Sequence, residues 1–300
     1  MKRRALLASS LLGAFAARAL CAEPKRLESD ELSLIELSVP GDAAFGRALV
    51  GLPRPLPERP DLLLLLHGLG ETTDPELGAH AFAERYGLLS AVQRLTHPPL
   101  VRQNLQRDYF EPGRLPELNA RLAQRPYQAP VLVCPFTPNP YKRGGGEVLQ
   151  RFAAFVVGPL KAAVEAHASV AFPGSRSMIS GVSLGGYLAM EIFLKSPEQF
   201  CGLGAAQAAF RPNQAARYAA RIAEQTARVG SRRIELLTSS YDPYRSANEL
   251  LHRHLVRQQQ ASRLRVSPGA HDQAWLNESG TIDMLLAADD VFAEQRAVSK

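Results

Sequence analysis

The chain predicts an α/β domain, with a mostly parallel central sheet, an antiparallel N-terminal edge and helices on both faces. Three observations predict it. Short apolar runs alternate with helical stretches along the chain, the pattern of strands joined by crossover helices. Leu62 to Leu66 and 129–136 are apolar on both faces, as strands buried inside a parallel sheet are. The first two runs are separated only by the turn-like cluster Pro40-Gly41-Asp42, so they pair as a hairpin.

Residues 32–39 and 44–52 form that hairpin. The five leucines at 62–66 lie between Pro60 and Gly68, too close together for a helix, so they read as strand. Residues 75–95 read as helix. Residues 96–128 carry prolines at 98, 99, 112, 116 and 126 and read as irregular. A connection this long is uncommon unless functional, so a cap or a wall of a substrate site is its expected role. Residues 129–136 are a buried strand, and 147–168 a helix with a kink or break at Gly158-Pro159. Residues 177–180 lead as a strand into Ser183, and 184–195 leave it as a helix. Strand 202–208, helix 213–228, strand 233–239, helix 247–260, strand 263–267 and helix 282–295 complete the chain. There is no internal repeat and no clear linker, so residues 23–300 read as one domain.

The first 22 residues stand apart. Lys2, Arg3 and Arg4 precede an apolar run, 5–17, without an acidic residue, and Ala19, Cys21 and Ala22 are small. This is the layout of an export signal, and the run is shorter than the roughly 20 residues that span a bilayer. Arg3-Arg4-Ala5-Leu6-Leu7 resembles a twin-arginine signal; a plain secretory signal with two arginines is the alternative. Either way the expected location is periplasmic or extracellular, with no stable membrane span. Cleavage would leave 31 basic and 29 acidic residues, so the net charge falls from +6 to +2. Nucleic acid is therefore not an expected partner. Cys134 and Cys201 both lie in apolar strand-like runs and read as buried thiols rather than a disulfide. No metal-ligand run and no cofactor motif is present; Gly144-Gly145-Gly146 lacks the Gly-Lys-Ser/Thr ending of a phosphate loop.

Gly181-Val182-Ser183-Leu184-Gly185 carries the chemistry. A serine between a strand end and a helix start is held on a sharp turn with its hydroxyl exposed, the G-x-S-x-G nucleophile elbow. Its hydroxyl is a weak nucleophile and needs a base, and the base needs an anion to orient it. Asp242, in the loop after strand 233–239, is the candidate acid, although a turn aspartate before a helix would look the same. His271, in the loop after the last strand, is the candidate base. His252 and His254 are two apart in a charged helix and read as solvated. For an oxyanion, the candidate donors are the backbone N–H groups of Leu184 and Leu69, with Gly68 the second choice in His67-Gly68-Leu69-Gly70. His67 itself reads as a brace for that loop. Trp275 reads equally as core or as a pocket wall.

These residues resemble the α/β-hydrolase superfamily, and within it the esterase D-like group, which includes feruloyl esterases and mycolyltransferases. The specific segments are Ser180-Gly-Val-Ser183-Leu-Gly-Gly-Tyr-Leu-Ala, Lys195-Ser-Pro197-Glu-Gln-Phe200 and His271-Asp272 followed by Trp275. The resemblance implies an α/β-hydrolase fold and a serine hydrolase of carboxylic esters acting through Ser183, His271 and Asp242. The expected substrate is a small-molecule or polysaccharide-linked ester. An acyltransferase with the same triad, or a non-catalytic binding protein on the same fold, are the other readings. A peptidase with an N-terminal propeller has no room in this chain.

Overall fold

The computed structural model describes residues 29–40, 45–142 and 144–298. The expected export signal, residues 1–22, lies outside the described residues. Strands β1 (Leu32–Ser38), β2 (Arg47–Pro53), β3 (Leu62–Leu66), β4 (Val131–Pro135), β5 (Ser177–Gly181), β6 (Gly202–Ala206), β7 (Arg233–Tyr241) and β8 (Ser262–Ala270) form one sheet. Its order is β1-β2-β4-β3-β5-β6-β7-β8. β1 pairs antiparallel with β2, and β2 antiparallel with β4. From β4 onward every neighbour is parallel.

The leucines of β3 show why this stretch is a central strand. Leu62, Leu64 and Leu66 join the core on one face of the sheet, and Leu63 and Leu65 the core on the other. Side chains that alternate along a strand supply both cores at once. All five are buried, each contributing about 2 kcal/mol of transfer free energy.

The helices are α1 (Pro75–Glu84), α2 (Leu88–Thr96), α3 (Arg114–Gln124), α4 (Gly145–Phe155), α5 (Lys161–Ala168), α6 (Leu184–Lys195), α7 (Ala215–Val229), α8 (Arg245–Arg257), a short turn α9 (Gln273–Trp275) and α10 (Thr281–Val298). α4 to α8 cover one face; α1, α2, α3 and α10 cover the other.

Two expectations are corrected. The single helix over 75–95 is two, because Gly87 adopts a left-handed conformation with φ 71° and packs against Asn277. The stretch 96–128 is not irregular throughout, since α3 lies inside it. Pro116 sits in the first turn of α3, where a missing N–H costs nothing because that group has no intrahelical partner. α3 is tied to α10 by Arg114 to Asp283 at 2.7 Å and Arg121 to Asp289 at 2.8 Å. The kink expected at Gly158-Pro159 is a π-helical turn, Val156–Leu160, between α4 and α5, a usual way to absorb a proline inside a helix. Cys134 and Cys201 are free, buried thiols, and burial pushes the Cys201 thiol up to about 12.

β4 lies on one side of β3 and β5 on the other. Successive connections therefore diverge at β3, and such a switch point leaves a crevice beyond the carboxyl ends of the strands. Ser183 and the loop 67–71 both follow strands at this point.

Candidate active site

The elbow is bolted to its neighbours through backbone. Ser183 donates its N–H to the Ala206 carbonyl at 2.8 Å, and Val182 donates to the Leu66 carbonyl at 3.0 Å. Ser183 has φ 57° and ψ −118°, a sparsely populated conformation for a residue with a side chain, of the kind that clusters at functional sites. Close approach makes it possible. A Cβ on Gly185 would lie 2.0 Å from the Leu66 carbonyl oxygen, and one on Gly181 2.4 Å from the Gly185 carbonyl carbon.

Three distant side chains meet above the sheet. Nε2 of His271 is 2.9 Å from Ser183 Oγ, and Nδ1 is 2.9 Å from Asp242 Oδ1. The Asp242 side chain is wholly buried. Its Oδ1 also accepts the Tyr244 N–H at 3.0 Å, and its Oδ2 accepts the Thr238 hydroxyl at 2.6 Å. The turn role of this aspartate and its contact with the histidine thus coexist. With Asp242 as acceptor, Nδ1 of His271 carries the proton and Nε2 is left to accept from the serine. Asp272, next to the histidine, does not join them. It caps the following turn by accepting the Trp275 N–H at 2.8 Å.

Sequence reasoning missed the residues that hold this set in place. Gln207 is buried, with φ 47°, and its amide donates to Ser239 Oγ at 2.7 Å and to the Ala270 carbonyl at 2.9 Å. It thereby fixes the residue before His271. Gly269, with φ 139°, lets the same loop pass over Trp275 and Tyr109. Trp275 is core: it is 1% exposed and donates its indole N–H to Ser267 Oγ. Gln207 has no local pattern to betray it, because it acts across the sheet; of the two readings of Trp275, core is the one the structure shows.

The loop 67–71 is equally fixed. Nε2 of His67 accepts the Thr137 N–H at 2.8 Å, so Nδ1 carries the proton and donates to the Gly68 carbonyl at 2.8 Å. Burial lowers His67 to about 4, against opposing contributions from that carbonyl and from Glu71. The histidine is a neutral brace. The Gly68 N–H is taken by the Tyr86 hydroxyl at 3.2 Å, which removes Gly68 from the oxyanion candidates. Among the described residues nothing takes the N–H of Leu69 or of Leu184, and both residues line the cleft beside Ser183. His252, expected in solvent, is half-buried and bonded to Ser262 Oγ at 3.0 Å.

The cleft has two lobes that meet at Ser183. One, of about 520 Å³, is lined by Tyr141, Tyr187, Phe210 and Tyr244, with Arg211 as its charged residue. The other, of about 390 Å³, runs past Gly68, Tyr86, His271 and Leu276. Residues 96–128 line neither lobe. They stand behind the histidine loop, where Glu278 accepts the N–H groups of Gln103 and Asn104. Among the described residues no three His, Cys, Asp or Glu side chains are grouped to hold a metal ion, and no helix is long and apolar enough to cross a membrane.

No family model matches the chain, and no curated protein matches it. Solved structures do. A ferulic acid esterase superposes with a TM-score of 0.61 at 16% identity, over 87% of this chain and 98% of that one. A ferulic acid esterase from Anaeromyces mucronatus, in complex with ferulic acid, gives 0.58 at 13% identity, over 87% and 92%. The enterobactin esterase of Shigella flexneri gives 0.53 at 16% identity, over 88% of this chain and 59% of that one. At such identities the likeness is one of fold. The chain has the α/β-hydrolase fold, with its eight-stranded, mostly parallel sheet and antiparallel edge.

Proposed function

We propose that this chain is a serine hydrolase that cleaves carboxylic esters through an acyl-enzyme on Ser183. The observation that carries the reading is the unbroken chain Ser183 Oγ, His271, Asp242, with both links at 2.9 Å. Ser183 Oγ attacks the ester carbonyl carbon as its proton passes to His271 Nε2. The carbonyl π electrons move to oxygen, and the N–H groups of Leu69 and Leu184 hold the oxyanion. Each donor of this kind lowers the barrier by roughly 3 kcal/mol. The intermediate collapses, the ester C–O bond breaks, and the leaving oxygen takes the proton from His271. Water repeats the sequence against the acyl-enzyme and releases the acid. Asp242 stabilises the imidazolium that forms in each half.

The two halves of the ester occupy the two lobes of the cleft. The larger lobe offers aromatic faces and a cation, a surface for a flat or polyhydroxylated group. The similar structures are esterases named for ferulic acid and for enterobactin, which is compatible with such a lobe. Residues 96–128 pack on either side of the histidine loop, Tyr109 beside Gly269 and the Gln103 and Asn104 N–H groups on Glu278. The basic and apolar layout of residues 1–22 supports export; a small-molecule or polysaccharide-linked ester is the substrate we propose.

A panel of nitrophenyl esters of graded acyl length tests the proposal. The wild-type chain is expected to hydrolyse at least one of them, and Ser183→Ala none above background. Product analysis with glycerol present separates hydrolysis from acyl transfer.

A further inference from the structure

We infer that Tyr86 is a positioning residue for the oxyanion site: by capturing the Gly68 N–H it anchors the His67–Gly68 peptide, the base from which the Leu69 N–H is presented beside Ser183, with Glu71 holding the phenol in place. The inference rests on the esterase reading above.

The geometry is a relay. A phenol has one proton and spare lone pairs. The Tyr86 proton goes to Glu71 Oε2 in a very short hydrogen bond, which leaves a lone pair to accept the Gly68 N–H at 3.2 Å. Glu71 is 3% exposed, and its other oxygen takes Arg85 Nη1 at 3.3 Å. The ring of Tyr86 is set edge-to-face on Phe82, centroids 5.1 Å apart. On the far side, Thr72 donates both its N–H and its hydroxyl to the Leu69 carbonyl, at 3.2 and 2.9 Å. Tyr86 thus fixes the His67–Gly68 peptide, the His67 Nδ1–H bond to the Gly68 carbonyl fixes the next one, which carries the Leu69 N–H, and Thr72 fixes the Leu69 carbonyl.

The relay lies against the nucleophile. A Cβ on Gly68 would sit 3.2 Å from the Tyr86 hydroxyl oxygen, 3.7 Å from Ser183 Cβ and 3.9 Å from Glu71 Oε2. Glu71 and Tyr86 both line the smaller lobe. An unmasked carboxylate beside a developing oxyanion opposes the reaction; one that accepts a phenol hydrogen bond and faces a guanidinium opposes it less. Burial and Glu71 together push the phenol above its ordinary range, so its proton stays in place wherever the fold survives. Two adjacent N–H groups compete for one oxyanion here, and the tyrosine removes one of them. A donor misplaced by an ångström costs about 100-fold in rate.

Tyr86→Phe and Glu71→Gln test this, with folding checked by thermal melting. Two ligands are measured beside ester turnover: a trifluoromethyl ketone, whose adduct with Ser183 carries an oxyanion, and the alcohol product, which carries none. Tyr86→Phe is expected to lower kcat/KM and ketone affinity together, by about 10- to 100-fold, with product affinity held within about threefold. Glu71→Gln keeps an acceptor for the phenol proton and is expected to lose less than about threefold in ketone affinity. If Tyr86→Phe does not fold, Glu71→Leu releases the phenol that accepts the Gly68 N–H and must show a selective loss of ketone affinity in the same direction. Ketone affinity unchanged in the folded variant, or lost in step with product affinity, overturns the inference. A wild-type chain that neither turns over esters nor binds the ketone overturns the esterase reading instead.

Discussion

His271 Nδ1 lies 2.9 Å from Oδ1 of a wholly buried Asp242, and that carboxylate has no free lone pair left pointing at solvent. The Tyr244 N–H also donates to Oδ1, and the Thr238 hydroxyl donates to Oδ2. The histidine is thus locked in the tautomer that leaves Nε2 as acceptor for Ser183.

Asp242→Asn follows from this. The Tyr244 N–H requires an acceptor at the Oδ1 position, so the amide oxygen stays there and the tautomer survives. What is lost is the charge that stabilises the imidazolium. We expect kcat to fall by about 10² to 10⁴ with KM within about threefold. Steady-state kinetics on a nitrophenyl ester decide it; a loss under threefold would place the acid elsewhere.

Gly185→Ala should prevent the elbow from closing. Its Cβ would stand 2.0 Å from a backbone oxygen that cannot yield, an overpacking that costs about 3 kcal/mol or more. Gly70→Ala is the control, because a Cβ there meets nothing within 4 Å. Urea unfolding of the two variants should give a large loss for the first and a change within about 0.5 kcal/mol for the second.

His67 makes stability depend on pH with a defined sign. It titrates at about 4 in the folded chain against an ordinary 6.5. Above pH 6.5 both states are neutral at this site. Between pH 6.5 and 4 the unfolded chain binds a proton that the folded chain refuses, so stability falls as pH falls. Below pH 4 the loss is complete, at about 3 kcal/mol. Urea midpoints at pH 7.5, 5.5 and 4.5 should decline more steeply for the wild type than for His67→Gln. Equal slopes would mean that His67 does not set this dependence.

Arg211 is expected to make the larger lobe selective for charge. It is the charged residue among four aromatic side chains, and among the described residues no carboxylate pairs with it. Esters bearing a carboxylate on the group that enters this lobe should be favoured over neutral isosteres, less so at high salt. Arg211→Gln should lower kcat/KM for the anionic ester by about 5- to 20-fold, a hydrogen bond to a charged group being worth roughly 1.5 kcal/mol, and leave the neutral one alone. Equal effects on both would assign Arg211 to the surface.

The sequence showed the parts of this molecule whose physics is local. Five leucines between a proline and a glycine define β3 to the residue, because nothing but a doubly buried strand fits. The elbow helix, Leu184–Lys195, starts where the serine turn must end. Ser183, Asp242 and His271 could be read in order because each follows a strand. The rest depends on contacts across the chain. α3 hides in a proline-rich stretch because its one proline falls in the first turn, and arginine pairs with α10 hold it down. Gln207, Thr238, Glu71 and Tyr86 sit in no motif, and their value exists only once β6, β7 and the loop after β3 are assembled. The break at Gly87 needed Asn277, nearly two hundred residues away, to be visible.

The central claim is that Ser183 is an activated nucleophile. Incubation with a fluorophosphonate probe, followed by peptide mapping, tests it most directly. A single phosphonylated residue, Ser183, is predicted, with labelling lost in Ser183→Ala and slowed by orders of magnitude in His271→Ala. Labelling that persists undiminished in Ser183→Ala, or that is indifferent to His271, would contradict it.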